Sequence, residues 1–172
     1  MDHVNIRHAK NEDARGILEA HYSAVHDTAS ADYPDLVRGD WAPEVTYERI
    51  EKYLLESFCR AVIVVAELNG CVAGYSAIVV AANELRDLYV SARFGRKGIG
   101  SALLRTIERL ANEGGCTELH LNATLTARGF YLRHGYSEIE LAEFTFDSGR
   151  KAACVRMRKE LGRALSPAHV TF

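Results

Sequence analysis

A glycine-rich segment between a strand and a helix constrains this chain more than any other feature. Residues 95–101 read GRKGIGS and follow an apolar, strand-like stretch that ends at Val90. Apolar residues then recur at helical spacing over residues 99–111, which predicts an amphipathic helix. Glycine lets backbone N–H groups turn towards one point, and the first N–H groups of a helix have no intrahelical acceptor. The segment therefore predicts a phosphate-binding loop at the start of a helix.

The pattern along the rest of the chain predicts one α/β domain with a mixed sheet. Asn69-Gly70 separates two stretches rich in valine and isoleucine, which is a strong signal for a β-hairpin. The elements follow in the order β-α-α-β-β-β-α-β-α-β-β, and residues 27–41, between the first two helices, are predicted to be irregular. We expect the domain to span residues 1–161 and an extension to span residues 162–172.

Composition limits the class of function. The chain has 172 residues, a net charge of −2 and 26% charged residues, so no overall field favours nucleic acid. The apolar stretches are too short to span a bilayer and the N-terminus lacks the apolar segment of a signal peptide, so we expect a cytoplasmic protein without a membrane partner. The four cysteines stand far apart and the histidines lack metal-ligand spacing, so we expect reduced thiols and no metal.

Three phosphate-binding motifs compete for the glycine segment. A P-loop requires lysine where this chain has Ser101, and a dinucleotide fingerprint requires a third glycine where it has Leu103. The third motif, [QR]xxGx[GA], is the acetyl-CoA loop of the GNAT superfamily. Residues 95–100 resemble it, with Gly95 in place of the usual glutamine or arginine.

Two further stretches resemble the same family in order and spacing. Residues 85–90, LRDLYV, resemble its fourth strand, and residues 124–136, TLTARGFYLRHGY, resemble its motif NxxAxxFYxxxGF. Thr124 and Tyr136 replace the usual asparagine and phenylalanine. The resemblance covers about residues 4–160. It implies a central mixed, mostly antiparallel sheet, splayed between its fourth and fifth strands and flanked by helices, and the transfer of an acetyl group from acetyl-CoA to a primary amine.

The resemblance also implies roles for individual residues. Tyr131 is the expected general acid, and Glu84 is the expected general base, acting through a water. By strand alternation Glu84 should share a face with Leu88 and Val90, while Asp87, a less favoured alternative, faces the other way. A simple ion pair between Glu84 and Arg86 is the competing interpretation. The residues expected to bind acetyl-CoA are Leu88, Tyr89, Val90, Arg93, Arg96, Lys97, Gly98, Ile99, Gly100, Ser101, Asn122, Ala127 and Tyr131.

The acceptor is not identified by any motif. Its pocket is expected between the first two helices, their connecting loop and the last hairpin. The candidate lining residues are aromatic or titratable: Tyr22, His26, Tyr33, Trp41 and Tyr75. A CoA-binding sensor or regulatory protein without catalysis is the alternative function. An exposed final strand would allow two subunits to pair as a homodimer.

Overall fold

Seven strands form one sheet at the centre of the structure, and helices cover both of its faces. The structure, a computed structural model, describes residues 4–58 and 60–162. Cys59 and all of the predicted extension except Gly162 lie outside these residues. The strands are β1 (Asn5–His8), β2 (Val62–Leu68), β3 (Cys71–Val79), β4 (Glu84–Val90), β5 (Glu118–Thr124), β6 (Ser137–Thr145) and β7 (Lys151–Glu160). The helices are α1 (Ala14–Ser23), α2 (Asp35–Trp41), α3 (Tyr47–Glu56), α4 (Ile99–Glu113) and α5 (Leu125–Arg133). Among the described helices, none is long and apolar enough to cross a membrane.

The strands bury alternate side chains in two core layers. In β2, Val64 and Ala66 belong to the layer that contains α4, whereas Ile63 and Val65 belong to the layer that contains α1. Helix α4 supplies an apolar stripe at helical spacing: Ile99, Leu103, Leu104, Ile107 and Ala111. Burial of each larger side chain contributes about 2 kcal/mol to folding. The helix that follows the glycine segment is therefore held firmly against the sheet.

The sheet is incomplete between β4 and β5. The strands lie in the order β1-β2-β3-β4-β5-β7-β6, and all neighbours are antiparallel except the parallel pair β4 and β5. This pair shares one register position, Glu84 with His120, and the His120 N–H donates to the carbonyl of Asn83 at 3.0 Å. The strands separate beyond that point. The prediction of a mixed, mostly antiparallel sheet splayed between its fourth and fifth strands is confirmed.

A bulge in β4 lies beside this separation. Residues 77 and 78 of β3 face Asp87 and Leu85, so Arg86 is an extra residue without a partner on β3. The buried hydroxyl of Ser76 donates to the carbonyl of Asp87 at 2.7 Å, which satisfies a backbone group at the bulge. A bulge bends its strand and increases the local twist. We attribute the divergence of β4 from β5 to this bend.

Two predictions about the periphery of the sheet are wrong. Residues 27–41 are not irregular throughout, because a π-helical turn over Ala24–Thr28 continues α1 and α2 begins after Pro34. Proline suits the start of a helix, where its missing N–H would have no intrahelical partner. The final strand is not exposed at the sheet edge either. Strand β7 lies between β5 and β6, and β6 forms the edge.

Gly74 of β3 allows β3 and β4 to approach closely. A Cβ at this position would lie 2.6 Å from the carbonyl oxygen of Tyr89 and 3.1 Å from Cα of Val90. Since both neighbours are backbone atoms, Gly74→Ala is expected to lower the free energy of unfolding by about 1–3 kcal/mol in urea denaturation. Gly39→Ala in α2 is the control, because a Cβ there meets nothing within 4 Å. Equal stability of the two variants would contradict the close approach.

Candidate functional site

The gap between β4 and β5 opens into two clefts. The first, which we call the loop cleft, has a volume of about 560 Å³ and is bounded by β4, residues 95–101 and the start of α5. The second, the aromatic cleft, has a volume of about 840 Å³ and is bounded by α2, β4 and the β6–β7 hairpin. Both are lined by Trp41, Leu85, Arg86, Tyr89, Asn122 and Thr124. The clefts therefore meet where the strands separate.

The glycine segment places a helix start in the wall of the loop cleft. Gly98 is the N-cap of α4 and has a φ of 76°, a left-handed conformation that favours glycine. It offers no side chain to cap the helix. The first intrahelical bond runs from the N–H of Ala102 to the carbonyl of Gly98 at 3.0 Å. The N–H groups of residues 99–101 precede it and have no intrahelical acceptor, so they can bind an anion together with the helix dipole.

The side chain of Ser101 is engaged by α5. Its Oγ lies 2.9 Å from Nε2 of His134, and Nδ1 of His134 lies 2.8 Å from the carbonyl oxygen of Phe130. A carbonyl oxygen only accepts, so in a neutral imidazole the proton is on Nδ1 and the Ser101 hydroxyl donates to Nε2. The hydroxyl hydrogen is then used within the protein. Anion binding by this residue would depend on its backbone N–H.

Most of the residues that the sequence assigns to acetyl-CoA line the loop cleft. They are Leu88, Tyr89, Val90, Arg96, Gly98, Ile99, Gly100, Ser101, Asn122, Ala127 and Tyr131. Arg93 and Lys97 do not line it. Their charged groups lie 5.1 and 6.0 Å from the ring centroid of Phe94. Phe94 is itself part of the wall.

Tyr131 is buried at the inner end of the loop cleft. Its side chain packs against Phe130 and Tyr136, with ring centroids 5.2 and 5.4 Å away. Burial raises the pKa of the Tyr131 hydroxyl, and the nearby carboxyl group of Asp87 raises it further. The phenol therefore stays protonated throughout the ordinary pH range.

Glu84 and Asp87 both line the aromatic cleft. The alternation argument that placed them on opposite faces fails at the bulge, because Leu85 lies in the same core layer as Leu88 and Val90. Glu84 has a counterion, since its Oε2 lies 3.7 Å from Nη2 of Arg86. Asp87 is half-buried. Burial raises the pKa of its carboxyl group to about 6, with Arg86 opposing the shift and Glu84 adding to it.

Five aromatic side chains form the walls of the second cleft: Tyr33, Trp41, Tyr89, Phe144 and Phe146. The predicted lining residues Tyr33 and Trp41 belong to this set. The other three candidates do not line it: Tyr22 stacks on His26 with centroids 4.1 Å apart, and Tyr75 is buried in the core. The sequence analysis named the last hairpin but missed Phe144 and Phe146. Their spacing of two residues on one strand is the signal that could have found them.

His21 is another lining residue that the sequence analysis missed. It lies on α1 against Tyr89, with ring centroids 4.4 Å apart. Burial, with the charge of Arg49, lowers the pKa of His21 to about 3, so the imidazole is neutral. Within residues 4–58 and 60–162, no group of three or more histidine, cysteine or acidic side chains is placed to hold a metal ion.

Solved structures resemble this one over nearly its whole length. A GCN5-related N-acetyltransferase of Rhodopseudomonas palustris aligns with a TM-score of 0.83 at 22% identity, covering 94% of this chain and 98% of that one. The PaiA N-acetyltransferase of Thermoplasma acidophilum, solved in complex with coenzyme A, aligns with a TM-score of 0.72 at 20% identity. That alignment covers 92% of this chain and 99% of the other. At these identities the similarity shows the fold.

Sequence comparison shows the family. An uncharacterized N-acetyltransferase of Chlorobaculum tepidum is 40% identical over 83 residues, which is 46% of this chain. The match spans about half the length of that relative, 52%. The sequence model of the GNAT acetyltransferase family matches residues 22–136. This range includes the π-helical turn, the strands β4 and β5 that line both clefts, and all of α5. The chain therefore belongs to the GNAT acetyltransferase family.

Proposed function

We propose that this protein transfers the acetyl group of acetyl-CoA to a primary amine by direct attack within a ternary complex. The observation that carries the proposal is the pair of clefts that meet at the gap between β4 and β5. One cleft presents an uncapped helix start, and the other presents a carboxyl group with a raised pKa. A thioester in the first cleft and an amine in the second would meet at the shared wall.

The donor would be held mainly by backbone groups. The N–H groups at the start of α4 suit a pyrophosphate, because they point at the anion and add the positive end of the helix dipole. The edge of β4 beyond Glu84 is not paired with β5. Pantetheine resembles a peptide, so its amides can pair with this edge as a strand would. These contacts would bring the thioester to the gap.

The acceptor amine needs a base, because a primary amine with a pKa near 10.4 is neutral in only about one in a few thousand molecules at pH 7. We assign this role to Asp87, whose pKa of about 6 lies near the working pH. Glu84, which the sequence favours, lines the same cleft and is the second candidate. Its ion pair with Arg86 would have to open before it accepted a proton.

The leaving thiolate needs a hydrogen-bond donor, and we assign it to Tyr131. The amine nitrogen attacks the carbonyl carbon, the C–N bond forms, and the C–S bond breaks with its electron pair on sulfur. An ammonium acceptor loses two protons in all, one to the base and then to solvent, and one that ends on the thiol. The protonated phenol of Tyr131 would give a proton to sulfur and regain one from the amine.

Direct attack is favoured over an acyl-enzyme by the state of the only described cysteine that lines either cleft, Cys154. Burial raises the pKa of its thiol, with Arg156 partly opposing the shift. A thiol with a raised pKa is a poor nucleophile at neutral pH, because the thiolate is the reactive form. The acetyl group would therefore pass straight from sulfur to nitrogen.

Measurement of thiol release distinguishes an acetyltransferase from a protein that only binds CoA. We expect acetyl-CoA with a panel of amines to release free thiol. When both substrate concentrations are varied, double-reciprocal plots of the initial rate should give intersecting lines. Tyr131→Phe should bind acetyl-CoA with unchanged affinity in calorimetry and lower kcat by about 10- to 100-fold. Tight binding of acetyl-CoA without thiol release for any small amine, peptide or protein would contradict the proposal and favour the sensor function. Parallel lines would contradict direct attack.

The identity of the base is tested by a pair of isosteric variants, Asp87→Asn and Glu84→Gln. Wild-type kcat at saturating substrates should rise with pH through about 6, where Asp87 loses its proton. Asp87→Asn should lower kcat by about 100-fold or more and remove this rise, the acidic limb of the pH profile. Glu84→Gln should retain it. If Glu84→Gln removes the limb and Asp87→Asn does not, the base is Glu84.

Asp87 also predicts a stability change with a definite sign. The pKa of its carboxyl group in the folded state is raised from 3.8 to about 6. Its contribution to the free energy of unfolding is therefore fully present below pH 4 and is lost as the pH rises through 6. Asp87→Asn should therefore be more stable than wild type by about 3 kcal/mol at pH 7.5, and the difference should vanish near pH 4. Urea denaturation at both pH values measures it. A less stable variant at pH 7.5 would show that the carboxylate is stabilised rather than desolvated.

A further inference from the structure

We infer that the acceptor is an arylalkylamine without a carboxylate, a small primary amine on a flat aromatic body. The inference rests on the proposed acetyl transfer and identifies its second substrate. It follows from three properties of the aromatic cleft: its walls, its charges and its size.

The walls are rings that contact one another, edge to face where Trp41 meets Tyr33 and Tyr89 and tilted by 40° where it meets Phe146. Trp41 is at the centre, with ring centroids 5.3 Å from Tyr33, 6.4 Å from Tyr89 and 6.5 Å from Phe146. Phe144 extends the wall, 5.0 Å from Phe146. Rings meeting edge to face offer both edges and faces to a further ring, which is how aromatic groups prefer to pack. The same faces attract a cation.

These rings are fixed before any ligand binds. The indole Nε1 of Trp41 donates to the hydroxyl of Tyr89 at 3.1 Å. The Tyr33 hydroxyl donates to the carbonyl of Ala153 at 2.6 Å and accepts from the N–H of Leu125 at 2.9 Å. A wall whose rotamers are already held loses little side-chain freedom on binding, so its shape selects among ligands.

The charges of the cleft favour a cation and disfavour an anion. Asp40 is one of four described carboxyl groups that line it, but its charge is balanced by Arg150; within the described residues Asp87 and Asp147 make no ion pair. One described arginine lines the cleft. That arginine, Arg86, is already paired with Glu84. His21 adds no positive charge. An amino acid would bring its carboxylate against this acidic lining, whereas an amine without a carboxylate would not.

Hydrogen bonds between the β6–β7 turn and α2, together with the volume of the cleft, favour a small acceptor over an extended chain. Nε of Arg150, in the β6–β7 turn, donates to Asp40 of α2 at 2.5 Å, and its Nη2 donates to the same carboxylate at 3.2 Å. Ser148 of the same turn also donates to Asp40. These bonds tie the hairpin to α2 across the cleft. The volume of about 840 Å³ lies within the range of small-molecule sites.

Four matched amines test the inference with the wild-type chain: 2-phenylethylamine, phenylalanine, n-butylamine and 1,4-diaminobutane. We expect kcat/KM for 2-phenylethylamine to exceed that for each of the other three by about tenfold or more, the ratio expected for one good stacking or charge interaction. Phenylalanine tests the carboxylate, n-butylamine tests the ring, and the diamine tests a second positive charge.

A pair of variants on one strand tests the wall itself. Phe144 is 51% exposed and Leu141 is 80% exposed, so neither truncation removes a core side chain. Phe144→Ala should raise KM for 2-phenylethylamine by about fivefold or more, with KM for n-butylamine and for acetyl-CoA unchanged. Leu141→Ala, outside both clefts, should match wild type.

The outcomes separate this inference from the proposed function. Thiol release with phenylalanine, n-butylamine or the diamine at rates equal to or above that with 2-phenylethylamine would overturn the acceptor class while leaving acetyl transfer intact. An equal effect of Phe144→Ala on both monoamines, or none on either, would also overturn it. Binding of acetyl-CoA without turnover of any amine would instead remove the proposed function.

Discussion

The absence of pairing between β4 and β5 beyond Glu84 and His120 is the constraint on which the rest of the structure depends. Backbone N–H and C=O groups almost always find partners, so the two half-edges that face the gap are open to pairing with water or with a strand-like ligand. Both clefts open at this gap, and both α4 and α5 begin beside it. A continuous sheet would satisfy these groups internally and leave no place where two ligands could meet.

The bulge at Arg86 explains both the gap and the main error of the sequence analysis. Strand alternation assumes one residue per position, and a slip of one residue moves every later side chain to the other face. Leu85 therefore lies with Leu88 in one core layer, and Asp87 lines the aromatic cleft with Glu84. No local pattern marks the bulge, because it arises from how β4 pairs with β3. The choice between the two carboxyl groups depended on tertiary structure.

Local signals were read correctly where the local chain determines the structure. Asn69 and Gly70 both have positive φ, as the predicted hairpin turn requires, and Thr124 caps α5 by accepting from the N–H of Ala127 at 3.0 Å. The start of α2 was missed because residues 27–41, which contain Pro34 and Gly39, were predicted to be irregular, although Pro34 stands at the N-cap. The hydrogen bond between Ser101 and His134 could not be predicted from local sequence either, since the two residues are 33 positions apart.

The two clefts differ in how they recognise a ligand, and this decides what a sequence can reveal about each. The loop cleft offers backbone N–H groups to its ligand, so it requires a particular backbone conformation. Gly98, which has a positive φ, makes this requirement visible in the sequence. The aromatic cleft works through side chains that come from α2, β4 and the β6–β7 hairpin, segments more than 40 residues apart. Two of these segments, α2 and the β6–β7 hairpin, lie outside both the glycine segment and the two strands that border the gap. The family resemblance therefore predicts the acetyl donor. The class of acceptor has to be inferred from aromatic rings and charged groups that only the folded chain brings together.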